Sequence, residues 1–504
     1  MTTAALTVDP ASAIAPVDRR LFGSFIEHLG RAVYDGIHEP GHPTADAEGF
    51  RADVLDLVRE LGVTTVRYPG GNFVSGYRWE DGVGPKESRP RRVDLAWHSL
   101  ETNEVGLDEF ARWSAKAGTE LMLAVNLGTR GVAEALDLLE YANLPGGTTL
   151  AEQRIANGSP EPHSVTIWCL GNEMDGSWQL GHRSAEDYGK LAAQAARAMR
   201  QLDSRIQLVV CGSSSRSMPT FGEWERTVLE HTWDEVDFIS CHAYYNQGDR
   251  DLSEYLATPV DMDRFIESVS ATIDHVAAVK GSDKRIGISF DEWNVWDIDR
   301  YHADDKRTAI DDWPIAPRLL EDSYTVADAV VVGGLLISLL RHADRVTAAS
   351  LAQLVNVIAP IMTEPGGIAW RQTTFFPFAL TSRLGRGRAL HVALRSDTME
   401  TASHGTVSVV DAVATTDDDG VSLFLVNRGD TMDARVSVDL SAAGVTSILE
   451  AHTLWDADPT ARNTVDQPDR VAVRPLDVVL SHGIAEFTLP PSSWSAIRIR
   501  KEPA

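Results

Sequence analysis

The chain has 504 residues, of which 43% are hydrophobic and 24% are charged, so it can form one large globular domain and a smaller one. Its formal net charge of −27 argues against nucleic acid and anionic membranes as partners, because surfaces that bind them need lysine and arginine. A neutral substrate such as a glycan is compatible with this charge.

The N-terminal residues 1–16 lack the basic start and continuous apolar stretch of a secretory signal. The longest apolar stretch, Val326 to Leu340, is too short to span a membrane comfortably and is predicted to be a buried helix. The cysteines lie in predicted strands without CxxC spacing, which indicates buried thiols in a reducing compartment. We therefore predict a cytoplasmic protein. These cysteines are Cys169, Cys211 and Cys241.

Eight short apolar runs alternate with helical segments, which is the pattern of βα units and a parallel sheet. Eight units fit a (β/α)8 TIM barrel, predicted over residues 18–384. A doubly wound open sheet is the alternative, but no glycine-rich nucleotide loop follows the first strand. The predicted strands are Leu21–Glu27, Thr65–Pro69, Leu121–Asn126, Val165–Gly171, Gln207–Cys211, Phe238–His242, Ile286–Phe290 and Val346–Ala349.

After about Gly385 the helical periodicity gives way to strand alternation punctuated by turn signals. This predicts a C-terminal antiparallel β-sandwich over residues 385–504, and residues 1–17 are expected to add a strand to it. The predicted strands are Thr406–Ala414, Val421–Asn427, Asp433–Leu440, Ser447–Trp455, Val471–Leu480 and Ile484–Leu489.

Polar side chains crowd the C-terminal ends of the barrel strands, which converge on one mouth of such a barrel. A single glutamate at a strand end is usually a solvated residue or a helix cap. Three glutamates at the same face, each after a buried run, indicate a functional site. The strand-end residues are Glu27, His28, Asn72, Asn126, Asn172, Glu173, His242, Tyr244 and Glu292.

Glu173 and Glu292 follow the fourth and seventh predicted strands, which lie roughly opposite each other in a barrel. Glycoside hydrolysis needs one carboxylic acid that protonates the leaving oxygen and one carboxylate that attacks the anomeric carbon. A separation of about 5–5.5 Å supports the retaining, two-step route. Asn172 precedes Glu173 and is placed to hydrogen-bond the hydroxyl next to the anomeric carbon. We therefore predict a sugar-cleaving enzyme.

Several aromatic residues accompany these acids and offer flat faces to the apolar side of a sugar ring. The charged segment Asp297 to Asp322 is predicted to be a long loop that forms either a wall of the cleft or a subunit contact. The aromatic candidates are Trp97, Tyr244, Trp293 and Trp296.

Metal and serine chemistry are the competing enzyme classes. The 15 histidines include no HxH or HExxH motif, and Ser213-Ser214-Ser215 is not part of a GxSxG elbow. We predict no metal and no cofactor.

Five motifs, in order along nearly the whole chain, resemble the α-L-arabinofuranosidases of glycoside hydrolase family 51, a member of the clan of retaining barrel hydrolases. The motifs are Phe22-Gly23-Ser24-Phe25-Ile26-Glu27-His28, Arg67-Tyr68-Pro69-Gly70-Gly71-Asn72-Phe73, Glu101-Thr102-Asn103-Glu104-Val105-Gly106, Gly171-Asn172-Glu173-Met174-Asp175-Gly176 and Asp291-Glu292-Trp293-Asn294.

The resemblance implies that Glu173 is the acid/base and Glu292 the nucleophile of an exo-acting enzyme that removes terminal arabinofuranosyl residues. Arabinan- and arabinoxylan-derived oligosaccharides are the implied substrates, and a homo-oligomer, often a hexamer, is the implied assembly. The implied ring-binding residues are Glu27, Asn72, Asn172, Tyr244 and Gln353, with Trp97, His242 and Trp296 lining or supporting the pocket. Two alternatives remain, a related retaining endo-glycanase acting on glucan or xylan and a non-catalytic sugar-binding scaffold.

Overall fold

A computed structural model describes residues 1–502 and contains a closed barrel and a large C-terminal sheet. The eight barrel strands are parallel, and each pairs with its neighbours in chain order until the eighth closes on the first. The predicted (β/α)8 barrel is therefore confirmed. Its strands are Gly23–Phe25, Thr65–Tyr68, Glu120–Ala124, Ile167–Cys169, Gln207–Val210, Phe238–Tyr245, Gly287–Val295 and Val346–Ala352.

Helices cover the barrel, and their apolar faces are buried against it. The helix Val326–Arg341 has apolar residues on nearly every side, because it also contacts the strands of the C-terminal sheet. No helix in the described part of the chain is long and apolar enough to cross a membrane. The helices are Ala52–Leu61, Leu107–Ala117, Val132–Asn143, Thr149–Ala156, Ala185–Leu202, Glu223–Thr232, Leu252–Leu256, Pro259–Lys280, Ile298–Arg300, Val326–Arg341 and Phe375–Leu384.

The remaining large sheet has ten strands, and the N-terminal strand Thr2–Pro16 lies within it. That strand pairs antiparallel with Arg388–Ser396 but parallel with Ala434–Asp439, so the sheet is not purely antiparallel. Leu423 and Val436 share one core although four strand spacings separate their strands, so the sheet folds over that core as a sandwich does. Its strands are Thr2–Pro16, Arg388–Ser396, Val410–Thr416, Gly420–Asn427, Ala434–Asp439, Val445–Leu454, Arg474–Pro475, Val479–Ser481, Ile484–Leu489 and Ser493–Lys501.

Two predicted strands of the C-terminal region differ from the structure. In place of one strand over Val471–Leu480, the structure has the two short strands Arg474–Pro475 and Val479–Ser481, because proline has no N–H to donate to a sheet ladder. Thr406–Ala414 is divided at Val409, and its first part belongs to a separate hairpin of Thr398–Thr401 and Gly405–Ser408.

Two barrel strands end later in the structure than the sequence predicts, and this changes where their polar residues lie. The seventh strand continues to Val295, so Glu292 lies inside it and not after its tip. The sixth strand continues to Tyr245 beside it, with Glu292 paired to His242 after a register shift. Mutual pairing extends both strands past their apolar runs, and it carries polar side chains into the barrel mouth.

Two further antiparallel pairs lie in loops of the barrel. Arg92–Asp94 pairs with Ser99–Glu101 after the second barrel strand, and Ile361–Thr363 pairs with Ala369–Arg371 after the eighth. The first pair places Trp97 in its connecting turn, directly over the barrel mouth, where the side chain reaches Glu27.

Candidate active site

Two buried carboxylates face each other at the C-terminal end of the barrel. Glu173 is 8% exposed and Glu292 is 5% exposed. An oxygen of each lies within 4.8 Å of an oxygen of the other. Retaining pairs are separated by about 5–5.5 Å, whereas inverting pairs need roughly 6.5–9.5 Å to admit a water. The geometry therefore suits the retaining route.

Glu173 sits at a sharp turn that leaves the fourth barrel strand. Its backbone adopts a left-handed conformation with φ of 44°, which is strained for a residue with a side chain and is typical of functional positions. Oε2 accepts a hydrogen bond of 2.7 Å from the indole N–H of Trp178. That tryptophan is 54% exposed, so the carboxyl of Glu173 stands between the barrel interior and an open aromatic surface.

Glu292 is held at both oxygens. Arg67 Nη1 donates to Oε1 at 2.8 Å, and the Tyr244 hydroxyl donates to Oε2 at 2.7 Å. Burial raises the pKa of Glu292, the cationic His242 lowers it, and the charge of Glu173 raises it, with a net upward direction. Two donors fix the carboxylate in one orientation, as an attacking group requires.

His242 links three carboxylates. Nδ1 lies 2.9 Å from Glu173 Oε1 and 3.6 Å from Glu292 Oε2, and Nε2 lies 2.9 Å from Asp291 Oδ1. Burial alone would lower the pKa of His242, but these carboxylates outweigh it and hold the pKa well above its usual value. When the ring is protonated, it can donate from both nitrogens to these carboxylates.

Glu173, His242 and Glu292 have the spacing of three metal ligands. The contacts of the two His242 ring nitrogens with Glu173 and Asp291 also suit these groups to proton transfer between carboxylates.

Arg67 is the buried centre of this arrangement, and the prediction from the sequence did not include it. Its guanidinium contacts Glu292 at 2.8 Å, Asn172 Oδ1 at 2.7 Å and Asp291 at 3.7 Å. The sequence prediction did not include Asp291 either. Both residues could have been recognised as charges inside buried apolar strands, because burying an unpaired charge costs free energy.

Glu27 forms a second acidic position in the mouth. Its Oε1 accepts 2.8 Å hydrogen bonds from the Phe73 backbone N–H and from the indole N–H of Trp97. Burial raises the pKa of Glu27 to about 8, against the lowering effect of these hydrogen bonds. Gly71 permits this packing, because a Cβ there would lie 2.7 Å from Oε2 of Glu27.

The other predicted residues lie around these three acids. Asn172 Nδ2 is 3.5 Å from Asn72 Oδ1, which completes a polar row beside Glu173. Gln353 donates to Glu27 Oε2 at 3.3 Å and accepts from the Glu27 backbone N–H at 3.0 Å. Trp296 packs edge-on against the Tyr244 ring, with the centroids 5.1 Å apart.

The long loop after the seventh strand packs against the loop that carries Trp97. Tyr301 lies edge-on to Trp97 with the ring centroids 5.9 Å apart, and Trp313 stacks on His98 at 3.9 Å. Of the two roles considered for this loop, the wall of the cleft is the one that these contacts support.

Comparisons with known proteins agree along nearly the whole chain. A profile described as the α-L-arabinofuranosidase 1 domain matches residues 57–258, and one described as the α-L-arabinofuranosidase C-terminal domain matches residues 291–493. An exo-α-(1→6)-L-arabinofuranosidase of Bifidobacterium longum is 57% identical over 98% of this chain and 97% of its own length. An intracellular exo-α-(1→5)-L-arabinofuranosidase of Streptomyces lividans is 58% identical over 99% of this chain and 75% of its own length. The solved family 51 α-L-arabinofuranosidase from Bifidobacterium longum superimposes with a TM-score of 0.96 at 50% identity, covering 99% of this chain and all of its own.

Proposed function

The chain belongs to the family 51 α-L-arabinofuranosidases, and from this membership we propose that Glu173 and Glu292 perform its chemistry. It is an exo-acting, retaining enzyme that releases terminal α-L-arabinofuranosyl residues. The observation that supports the two catalytic roles is the pair of buried carboxylates within 4.8 Å of each other, each held by different donors.

In the first step, Glu292 attacks the anomeric carbon while Glu173 donates its proton to the leaving oxygen, which gives a glycosyl ester and a free alcohol. Arg67 and Tyr244 keep the attacking carboxylate in place. In the second step, Glu173 removes a proton from water, the water oxygen attacks the same carbon, and the bond to Glu292 breaks. Two inversions leave the configuration unchanged.

We propose that the ring hydroxyls of the arabinofuranose are bound by Glu27, Asn72, Asn172 and Gln353, with Tyr244 and His242 beside the anomeric carbon. Trp97 and Trp296 then flank the ring. The support is that Asn172 shares its partner Arg67 with Glu292, and that Gln353 and Trp97 both contact the buried carboxyl of Glu27.

Arabinan- and arabinoxylan-derived oligosaccharides are the substrates that we propose. Hydrolysis of p-nitrophenyl α-L-arabinofuranoside compared with that of a glucan or xylan polymer tests this against the endo-glycanase and scaffold alternatives. We expect the aryl arabinofuranoside to be cleaved, with the α-anomer as first product by NMR. Cleavage inside a polymer backbone, or cleavage of neither substrate, would contradict the proposal.

Glu27→Gln should lower kcat/KM about 5- to 150-fold, which is the scale for leaving buried hydrogen-bonding groups without their partner. The pH profile should keep both limbs, because Glu27 is proposed to bind sugar and not to transfer protons. Steady-state kinetics across pH measure this. Disappearance of the basic limb would instead make Glu27 the acid/base.

His242→Gln should move the acidic limb of the pH profile to higher pH. The imidazolium lowers the pKa of Glu292, which must be ionised to attack, so removing the cation raises that pKa further. Glutamine retains a hydrogen-bond donor of similar reach, so it serves as the neutral replacement. The measurement is kcat/KM against pH, and an unmoved acidic limb would show that His242 has only a packing role.

Location and assembly are further proposals. Relatives from Streptomyces lividans, Bifidobacterium longum and Acetivibrio thermocellus are named intracellular, and we propose the same compartment for this chain. We also propose a homo-oligomer, with a hexamer as the expected size. Static light scattering of the purified protein measures the assembly.

A further inference from the structure

The motif that begins at Glu101 contributes a buried acid to which the proposed chemistry gives no role. Glu101 ends the second strand of the hairpin formed by Arg92–Asp94 and Ser99–Glu101, and the turn of this hairpin carries Trp97. A buried charge is costly unless its neighbours compensate for it, so the contacts of Glu101 indicate what it does.

Three donors converge on the carboxylate of Glu101. His28 Nδ1 lies 2.8 Å from Oε2, the backbone N–H of Asn103 donates to Oε1 at 2.6 Å, and the hydroxyl of Tyr34 donates to the same oxygen. Burial raises the pKa of Glu101, but the charge of His28 and these hydrogen bonds outweigh burial and lower the pKa. Glu101 is therefore an ionised acceptor at neutral pH that ties the loop after the first barrel strand to the hairpin.

His28 is held on its other side as well. Its Nε2 lies 2.7 Å from the hydroxyl of Tyr68, and its ring stacks on Phe73 with the centroids 4.9 Å apart. The residue before it in the chain is Glu27. The buried imidazole thus links the end of the first barrel strand to the second strand and to the turn that carries Phe73.

The pair of Glu101 and His28 supports both donors that fix Glu27. Oε1 of Glu27 accepts from the Phe73 backbone N–H and from the Trp97 indole N–H, each at 2.8 Å. Phe73 packs on His28, and Trp97 belongs to the hairpin that ends at Glu101. Because the two donors come from different segments, their spacing depends on contacts that join these segments.

We propose that Glu101 and His28 are positioning residues for the sugar pocket. Their buried contact holds the Phe73 turn and the Trp97 hairpin at the spacing that Glu27 needs in order to bind the arabinofuranose ring. The inference rests on the proposed function of Glu27. It gives the motif at Glu101 a role that acts through Glu27, without contact with the substrate.

Glu101→Gln tests the inference in the full-length enzyme. Glutamine keeps the shape of the side chain, but its amide N–H2 group faces at least one of the three donors. We expect kcat/KM for p-nitrophenyl α-L-arabinofuranoside to fall roughly tenfold and KM to rise, because Glu27 is no longer held where the ring binds. A smaller fraction of folded enzyme would instead lower kcat and leave KM unchanged.

A double-mutant cycle shows whether the effect passes through Glu27. In the Glu27→Gln background, Glu101→Gln should lower kcat/KM by less than about twofold, because the residue through which it acts is already altered. Tyr34→Phe removes one donor to Glu101 and takes the place of Glu101→Gln in the cycle if that variant does not fold. Its expected loss is smaller, about two- to fivefold in the unmodified background and none in Glu27→Gln.

Asp108→Asn is the matched control. Asp108 is also buried, accepts from the Tyr141 hydroxyl at 2.7 Å and lies 2.8 Å from His163 Nε2, but it belongs to the helix Leu107–Ala117 outside the barrel. This variant loses a comparable buried acceptor, so kcat/KM should stay unchanged in both backgrounds. A loss as large as that of Glu101→Gln would show that any buried carboxylate has this effect, and it would overturn the inference.

Equal losses for Glu101→Gln in both backgrounds, a loss in kcat alone, or unchanged kinetics would also overturn the inference. Failure of the proposed function has a different signature. In that case the unmodified enzyme does not cleave the aryl arabinofuranoside, or Glu27→Gln by itself leaves kcat/KM unchanged.

Discussion

Glu292→Ala is expected to abolish turnover of every arabinofuranoside, with kcat lowered about 10⁵- to 10⁶-fold, the scale for loss of a catalytic nucleophile. In the proposed mechanism, bond formation to the anomeric carbon begins at this carboxylate, and a better leaving group cannot replace it. Kinetics on both an oligosaccharide and an activated aryl substrate measure the loss.

Adding azide to the Glu292→Ala variant tests the assignment of Glu292 as nucleophile through the configuration of the product. In Glu292→Ala the space of the missing carboxylate admits azide, which attacks the substrate directly in a single displacement. The product from an activated α-arabinofuranoside is then the β-azide, with inverted configuration. An α-azide from this variant would mean that a covalent intermediate still forms, and the nucleophile would have to be another residue.

Glu173→Ala is expected to separate the two steps. An activated aryl arabinofuranoside needs little protonation of its leaving group, so formation of the glycosyl ester should persist in this variant. Hydrolysis of the ester should become limiting, because no base activates the water. Activity on oligosaccharides, whose leaving alcohols need a proton, should fall about 10²- to 10⁴-fold.

Azide should rescue Glu173→Ala on the aryl substrate, because an anionic nucleophile needs no base. The product is expected to be the α-azide, since the intact Glu292 has already inverted the carbon once. A β-azide from this variant would assign Glu173 as the nucleophile and reverse the roles. Asp175→Ala is a useful control, because Asp175 lies on the same turn but does not contact either catalytic carboxylate through a hydrogen bond in the described residues.

The two carboxylates of the proposed catalytic pair have different surroundings. Glu292 is enclosed by Arg67, Tyr244 and His242, which oppose the rise in its pKa caused by burial and orient it for attack. Glu173 touches His242 on one side and the exposed Trp178 on the other, so it can exchange a proton with a leaving group or a water. Glu173 has an exposed partner in Trp178, whereas Glu292 has none among residues 1–502, which matches the proposed roles of acid/base and nucleophile.

The amino-acid sequence by itself determined the barrel and the position of its carboxylates. Eight apolar runs separated by amphipathic helices have few compact arrangements, and parallel strands in a barrel must end at a common mouth. An acid that directly follows such a run, as Glu173 does, is therefore placed at the mouth by local pattern alone. The same rule places Glu27 and Glu292 at the mouth, although the strand that carries Glu292 continues beyond it to Val295.

Only the tertiary structure decided the partners of those acids. Arg67, His242 and Asp291 meet because the second, sixth and seventh strands close into one barrel, and no periodicity in the sequence reports distances across its interior. The extension of the sixth and seventh strands depends on their mutual hydrogen bonds. The C-terminal hairpin rests on the barrel where Glu254 accepts hydrogen bonds from the backbone N–H groups of Ala402 and Ser403, residues about 150 positions away in the chain. Contacts between residues far apart in the chain are set by packing, which local propensities do not encode.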